Sequence, residues 1–355
     1  MYAGALLPRL SRRLQSRGHE VIIYAPGPLR GVAVAGKTRI IPGSPFWTQR
    51  VLAAAVRRDP PDVLFLPIQM LPLFRPQSMR TVAVVHDLEF LHYPETYTLK
   101  NRLLLHFFTW NAVRYATRLI AVSQYTKDEV MRRYRRHADT ITVVPHGVDT
   151  ETFRERRAAE VRRRYQLPEH FILFVGALQP RKNIEGLVAA FEAFSRTPAP
   201  TSNPQDSVHL VLACGGGWKE EQILERIHRS PLHDRIHLFR RLSLSDLAGL
   251  YQAAQVFVLP SFSEGFGMPV LEAMAAGTPV VASRMSSLPE VVGDAALLVD
   301  PTDATDTAHA IERLIRDQSL RQQLVTRGHE RAAQFTWERA AALSADVVEA
   351  AGLTR

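Results

Sequence analysis

One stretch constrains this chain more than any other. It runs Pro260–Pro279, Pro-Ser-Phe-Ser-Glu-Gly-Phe-Gly-Met-Pro-Val-Leu-Glu-Ala-Met-Ala-Ala-Gly-Thr-Pro. The apolar run Val256–Leu259 leads into it, and Val280 and Val281 follow it. Two short apolar runs on either side of a glycine-rich segment read as strand, turn, short helix, strand. In an open parallel sheet such a turn lies at the carboxyl end of the strand, where ligands bind. The amides of Gly265, Phe266, Gly267 and Met268 are expected to meet an anion there, and a helix starting near Pro269 adds its positive end. Glu264 precedes that helix, and Glu272 is expected in its first turn. Both acids should face a ligand that carries hydroxyls as well as phosphate. That combination points to a sugar nucleotide or something close to it.

A chain of 355 residues has room for two domains of ordinary size, and its apolar fraction of 46% is that of a globular protein. It offers no unbroken apolar run of about 18 residues, so no membrane span is predicted. The first twenty residues hold four arginines and lack the apolar core of a secretory leader. A single cysteine, Cys214, excludes an internal disulfide and a cysteine-cluster metal site, and a cytoplasmic location fits it. Charge divides the chain: residues 1–165 hold 27 Lys and Arg against 13 Asp and Glu, whereas the remainder holds 17 against 22. This supports a domain boundary near 165. A basic first half suits an anionic partner, namely a membrane surface, a lipid diphosphate or nucleic acid. An arginine-rich proteome would also account for it.

Strand-like runs alternate with helical segments along the whole length, as in an α/β protein. Residues 4–16 read as an amphipathic helix, followed by strands near 21–24, 63–66, 81–85, 119–122 and 141–144, with helices over 47–58, 98–116 and 125–135. The 98–116 helix is rich in apolar and aromatic residues. It is expected to be buried, with a membrane-facing or acceptor-facing surface as the rival reading. His86 follows the strand 81–85 at a ligand-facing edge, and Pro145-His146-Gly147 reads as a structural turn. Residues 151–165 are expected to form a charged, solvated linker helix. Beyond it, strand 171–175 leads into Gln179-Pro180-Arg181-Lys182-Asn183. Basic groups in a strand-to-helix loop suit a diphosphate, and they oppose the helix field unless something anionic is bound. Residues 198–206 read as a loop insertion. Gly215, Gly216 and Gly217 close the strand 208–213, and Cys214 is taken as a small buried apolar group. Arg240 and Arg241 could flank a base pocket.

Taken together these segments resemble the retaining glycosyltransferases of family 4, the glycosyl transferases group 1. The pattern of that family is a glutamate, seven residues and a second glutamate, here Glu264 and Glu272 inside Ser-Glu-Gly-Phe-Gly-Met-Pro and Leu-Glu-Ala-Met-Ala-Ala-Gly. His-Asp-Leu-x-x-Leu-x-x-Pro-Glu (His86 to Glu95) and Pro-Arg-Lys-Asn (180–183) resemble its mannosyltransferase-like branch. Ala177 departs from the arginine usual just after the glycine of that loop. The resemblance implies two Rossmann-like domains facing across a cleft (the GT-B fold). Residues 1–165 would form the acceptor side, 166–335 the nucleotide-sugar side, and 336–355 a helix crossing back. Arg-Gly-His-Glu-Val at 17–21 matches the stretch that follows the first helix of the family, so the first domain is expected to lack its first strand.

The resemblance also implies roles. Arg181, Lys182 and the Gly265–Met268 amides would hold the diphosphate. Glu264 would bond a sugar hydroxyl and Glu272 the ribose diol. His86 would touch the sugar from the other domain. No metal or other cofactor is expected, and the sequence has no Asp-x-Asp tripeptide. The implied reaction moves mannose from GDP-mannose to a polysaccharide or lipid-linked glycan; the basic first half adds an expected peripheral contact at the inner face of an anionic membrane, and with no nucleic-acid motif in the sequence no nucleic-acid partner is expected. A sugar-nucleotide epimerase or phosphorylase of the same fold, or a non-catalytic nucleotide-sugar-binding scaffold, are the alternatives.

Overall fold

Short apolar runs make the central strands, such as residues 81–85, Val256–Leu259 and Val280–Ser283, which are buried on both faces as interior parallel strands require, whereas Lys37–Ile40 is exposed along its length. The computed structural model describes residues 2–29, 31–43, 45–94, 97–196, 207–217 and 219–354. They form two units, Met1–His92 with Thr98–Gly147 and Phe335–Arg355, and Tyr93–Tyr97 with Val148–Gln334. The insertion at 198–206 lies outside the described residues.

Among the described residues the first unit holds six strands: β1 (Ile22–Ala25), β2 (Lys37–Ile40), β3 (Val63–Leu66), β4 (Arg80–Val85), β5 (Arg118–Ala121) and β6 (Ile141–Val143). They make two separate parallel ladders, β1-β2 and β3-β4-β5-β6. The first element is the Tyr2–Ser16 helix, which buries Leu6, Leu10 and Leu14. Against it packs the closing helix Trp337–Gly352, which also touches β3, β4 and β5. Arg9 pairs with Glu338 at 2.5 Å, and Arg17 reaches Asp346 at 2.8 Å and Glu349 at 2.6 Å. Such exposed pairs add little energy each. The buried leucine and alanine faces hold the two helices together.

The second unit has β7 (Phe171–Ala177), β8 (His209–Gly215), β9 (Ile236–Phe239), β10 (Val256–Leu259), β11 (Val280–Ser283) and β12 (Leu297–Val299). Their order is β12-β11-β10-β7-β8-β9, all parallel. The chain therefore winds outward in one direction from β7 and in the other from β10. The neighbouring carboxyl ends of those two strands form the switch point, where an α/β sheet leaves a crevice.

Two expectations need correction. The units divide between Gly147 and Val148, not near 165. Residues 150–165 are not a solvated linker but two helices, Thr150–Arg154 and Ala158–Tyr165, packed on the second unit. Phe153 and Val161 are buried, the Arg157 amide donates to Gln252 Oε1 at 2.9 Å, and Arg164 pairs with Asp246 at 2.6 Å. The charges lie on one side and Phe153 and Val161 on the other. The Leu99–Tyr115 helix is only half buried: Phe108, Ala112 and Val113 point inward, while Leu99, Leu103, Phe107 and Trp110 are exposed.

Cys214 is buried and unpaired, and burial pushes its thiol up to about 12, so it is an inert apolar group. Gly147 lies tight against the start of the closing helix: a Cβ there would sit 2.1 Å from the Trp337 backbone nitrogen. We expect Gly147→Ala to destabilise the protein by about 1–3 kcal/mol, as overpacking does. Urea unfolding would show it; an unchanged midpoint would mean that the closing helix yields freely.

Candidate active site

The candidate site grows from the loops after β7 and β10. After β7 the chain makes a 3-10 turn, Pro180–Lys182, and Asn183 at φ +55° starts the helix Ile184–Arg196. Asn183 ties this loop to its neighbours: its Nδ2 donates to Pro260 O at 3.1 Å and Pro301 O at 2.6 Å, and its Oδ1 accepts from the Gly186 amide. The Phe262 amide donates to Arg181 O at 2.9 Å. The two loops are thus fastened backbone to backbone before any charged group is considered.

At their junction Lys182 Nζ meets Glu264 Oε1 at 2.5 Å, and both residues are only 6% exposed. Arg181 Nη1 lies 3.4 Å from Glu264 Oε2 and donates to Ser263 O at 3.1 Å. Ser261 Oγ donates to Glu264 Oε1 at 2.8 Å. Ser286 Oγ accepts from the Glu264 amide, and Ser287 Oγ donates to its carbonyl. Burial by itself pushes the Glu264 carboxyl up. The charges of Lys182 and Arg181, with the hydrogen bonds from Lys182 and Ser261, outweigh it and hold the group below the usual carboxylate range.

The glycine-rich turn ends at Gly267, φ +96°, the N-cap of the helix Met268–Ala276. A Cβ on Gly267 would lie 2.5 Å from Leu288 Cδ2, so both the space and the backbone require glycine. Phe266 beside it is buried. Glu272 is not in the first turn of this helix, as the sequence suggested, but one turn further in. It is 5% exposed, and Tyr251 Oη donates to its Oε2 at 2.9 Å. The helix starts one residue before Pro269, at Met268, which moves the acid to its second turn. Burial raises the Glu272 carboxyl to about 7; the Tyr251 hydrogen bond only partly offsets this.

Arg181, Lys182, Glu264, Gly265, Phe266, Gly267, Met268 and Glu272 all belong to the second unit; His86 belongs to the first. His86 follows β4 and donates from Nε2 to Pro67 O at 2.9 Å, while its amide donates to Gln69 Oε1. Burial lowers its pKa, more than the Pro67 carbonyl and Asp87 raise it, so the ring is neutral at pH 7 with its proton on Nε2. Its ring packs edge-on to Tyr2 at 4.6 Å and lies 5.5 Å from His146, which stacks on Trp337. The turn residue His146 therefore joins His86 in one aromatic cluster. Arg240 pairs with Glu220 instead of standing alone. Gly217 lies against the first loop, where a Cβ would meet Leu178 O at 1.8 Å. Among the described residues no group of three or more His, Cys, Asp and Glu is arranged to hold a metal ion.

Sequence reading missed Tyr251, Ser261, Ser286 and Ser287. Tyr251 stands in Leu250-Tyr251-Gln252-Ala253-Ala254, where an aromatic residue reads as core; only a structure shows its hydroxyl aimed at a buried acid.

Two family profiles match the chain in succession: "Glycosyltransferase Family 4" over residues 4–152 and "Glycosyl transferases group 1" over 158–331. The O-antigen chain mannosyltransferase B of Escherichia coli is 34% identical over 263 residues, 73% of this chain and 67% of that protein. The chain belongs to glycosyltransferase family 4, and it is a sugar-transferring enzyme of that family. It spans about half, 51%, of another relative, the D-inositol 3-phosphate glycosyltransferase of Corynebacterium diphtheriae, at 34% identity over 226 residues. Anabaena HepE in complex with UDP-glucose superposes with a TM-score of 0.73 at 19% identity, over 98% of this chain and 96% of that one. The architecture is thus the two-domain α/β GT-B fold.

Two outcomes follow for this family 4 chain. Removing Lys182 leaves Glu264 buried with weaker compensation, so Lys182→Met should cost about 3 kcal/mol, while Lys182→Met with Glu264→Gln should recover most of it. Chemical unfolding measures both; equal losses would show that the pair is not coupled. Glu272 binds its proton more tightly folded than unfolded. Its contribution to stability is therefore full below about pH 4.5 and is lost as pH rises through about 7. Relative to Glu272→Gln, the native protein should lose about 3 kcal/mol over that window, since each pKa unit is worth about 1.4 kcal/mol. Parallel stability curves for the two proteins would exclude a raised carboxyl.

Proposed function

We propose that this chain transfers mannose from GDP-mannose to a polysaccharide or lipid-linked glycan, with retention of anomeric configuration and without a metal. The observation that carries this reading is the buried Lys182–Glu264 pair at the switch point of a six-stranded parallel sheet. A lysine and an arginine held at a crevice suit a nucleoside diphosphate, whose charge grows as the sugar leaves. In this reading the diphosphate competes with Glu264 for Lys182 and Arg181. Glu264 is then released to accept a hydrogen bond from a sugar hydroxyl. The helix end at Met268 adds its positive field to the same phosphates. His86, held neutral in the first unit, is the residue this reading assigns to a sugar hydroxyl. Similarity to O-antigen chain mannosyltransferase B supports mannose over other hexoses. The break between the β1-β2 and β3–β6 ladders supports the further reading that the first domain is short of one strand.

Glu272 is the acid assigned to the ribose diol. A carboxylate accepts from both hydroxyls only when ionised, and its raised pKa leaves it about half protonated near neutral pH. Nucleotide binding should therefore release a proton. Calorimetry near pH 7 in buffers of different ionisation enthalpy would register that release with GDP, and Glu272→Gln should abolish it. A buffer-independent enthalpy would remove Glu272 from the nucleotide site.

The donor assignment is tested by presenting GDP-mannose, UDP-glucose, UDP-galactose and UDP-N-acetylglucosamine in turn. GDP-mannose should bind and be turned over in preference, and Lys182→Ala should lower kcat/KM by roughly a hundredfold. Preference for a UDP-sugar would overturn the donor. Turnover unaffected by Lys182→Ala would overturn the site.

A further inference from the structure

The Leu99–Tyr115 helix of the first unit leaves a large apolar stripe uncovered. Its outward side carries Leu99 (64% exposed), Leu103 (58%), Phe107 (44%) and Trp110 (40%). Their spacing of four, four and three residues sets them in one stripe along the helix. Its inward side buries Thr109 and Asn111, and Thr109 Oγ1 and Asn111 Oδ1 meet no hydrogen-bond partner among the described residues. Phe108, Ala112 and Val113 are buried beside them, so the helix is apolar on both sides and its outer stripe is surplus to the core. The patch continues past the helix. Arg75 Nη2 donates to Tyr115 O at 3.4 Å, which brings the loop carrying Phe74, 69% exposed, to the helix end.

The charges of this stretch of chain have one sign. No Asp or Glu occurs from residue 96 to 127, a span that holds five Lys and Arg. Lys100, Arg102 and Arg114 lie on the helix itself, and none of them pairs with a carboxylate among the described residues. Lys100 and Arg102 sit in its first turns, where the helix field disfavours cations unless negative charge lies outside. Arg136 adds a further cation at the far end, its Nη1 donating to Arg114 O at 3.2 Å.

We propose that this face rests on an anionic lipid bilayer, with Leu103, Phe107 and Trp110 entering the headgroup boundary and Lys100, Arg102 and Arg114 meeting lipid phosphates. Leucine and aromatic side chains rimmed by Lys and Arg on one helix side are what an interfacial helix needs, and tryptophan favours that depth. The three cations of the helix make the surface complementary to anionic headgroups and disfavour stacking on a second copy of it. No described helix is long and apolar enough to cross a membrane, so the contact is peripheral. This inference is independent of the donor site, which lies in the other unit.

The test uses the full chain and vesicles of phosphatidylcholine with or without phosphatidylglycerol. The protein should sediment with the mixed vesicles and far less with phosphatidylcholine alone, and added salt should release it. Phe107→Ser with Trp110→Ser should weaken vesicle binding about tenfold or more. Lys100→Glu with Arg102→Glu should weaken it similarly while leaving GDP binding and thermal unfolding unchanged. Lipids carrying a quencher in the upper acyl chain should dim the native protein, and Trp110→Phe should remove most of that response. Failure of the native protein to bind mixed vesicles would overturn the proposal. So would binding unchanged in both double variants, or self-association that the Phe107 and Trp110 changes abolish in the absence of lipid.

Discussion

The ion pair of Lys182 and Glu264 is the constraint on which the second unit depends. Taking both charges out of water is costly, and their attraction repays it only when geometry and hydrogen bonds are good. The sheet supplies that geometry. β7 and β10 are adjacent though about eighty residues of chain separate their loops. Both run in the same direction, so both loops emerge at the same edge. Asn183, bonded to Pro260 and Pro301 carbonyls, fixes the first loop, and Ser286 and Ser287 fix the backbone of Glu264. The side chains meet because topology and backbone contacts have already placed them.

Glycine enters the second unit where two backbones or a backbone and a side chain must approach closely. Gly217 allows the loop after β8 to pass against Leu178, and Gly267 lets the helix start beneath Leu288. The same device serves the first unit, where Gly147 admits the closing helix at Trp337. That contact also completes the aromatic cluster of Tyr2, His86, His146 and Trp337, which links residues from both ends of the chain. His86 is held neutral in this setting, a hydrogen-bonding group and not a charge.

Much of the second unit was legible in the residues, for a physical reason. Its central strands are buried on both faces, so Val256–Leu259 and Phe171–Phe174 stand out as apolar runs, and glycine and proline mark their ends. Arg181 and Lys182 could be named because basic groups at a helix start oppose the helix field, and Glu264 because it opens a glycine-rich turn at a strand end. What stayed hidden depends on direction. The Leu99–Tyr115 helix is apolar on both sides, so periodicity could not say which side faces inward. Residues 150–165 are mostly charged, and the burial of Phe153 and Val161 is a matter of which way two short helices turn. Tyr251 looked like core, and it is core; its hydroxyl acquires meaning only from Glu272, twenty-one residues away in sequence.

The two glutamates of the Pro260–Pro279 stretch look equivalent in sequence and differ in electrostatics. Both are nearly inaccessible to water. Glu264 lies beside two cations, and their field outweighs its desolvation. Among the described residues Glu272 meets no cation at its carboxyl, only the hydroxyl of Tyr251, and desolvation wins. Environments that push two like groups apart in pKa commonly separate their tasks. Here the ionised acid adjoins Lys182 and Arg181, where an arriving anion changes the balance of charge most. The acid near neutrality sits one turn inside the Met268–Ala276 helix, where the hydroxyls of a bound ligand would favour its ionised form. A spacing of seven intervening residues is therefore not a repeat of one function. It spans the distance from the loop at the strand end to the second turn of the helix, and over that distance the surroundings change from cationic to apolar.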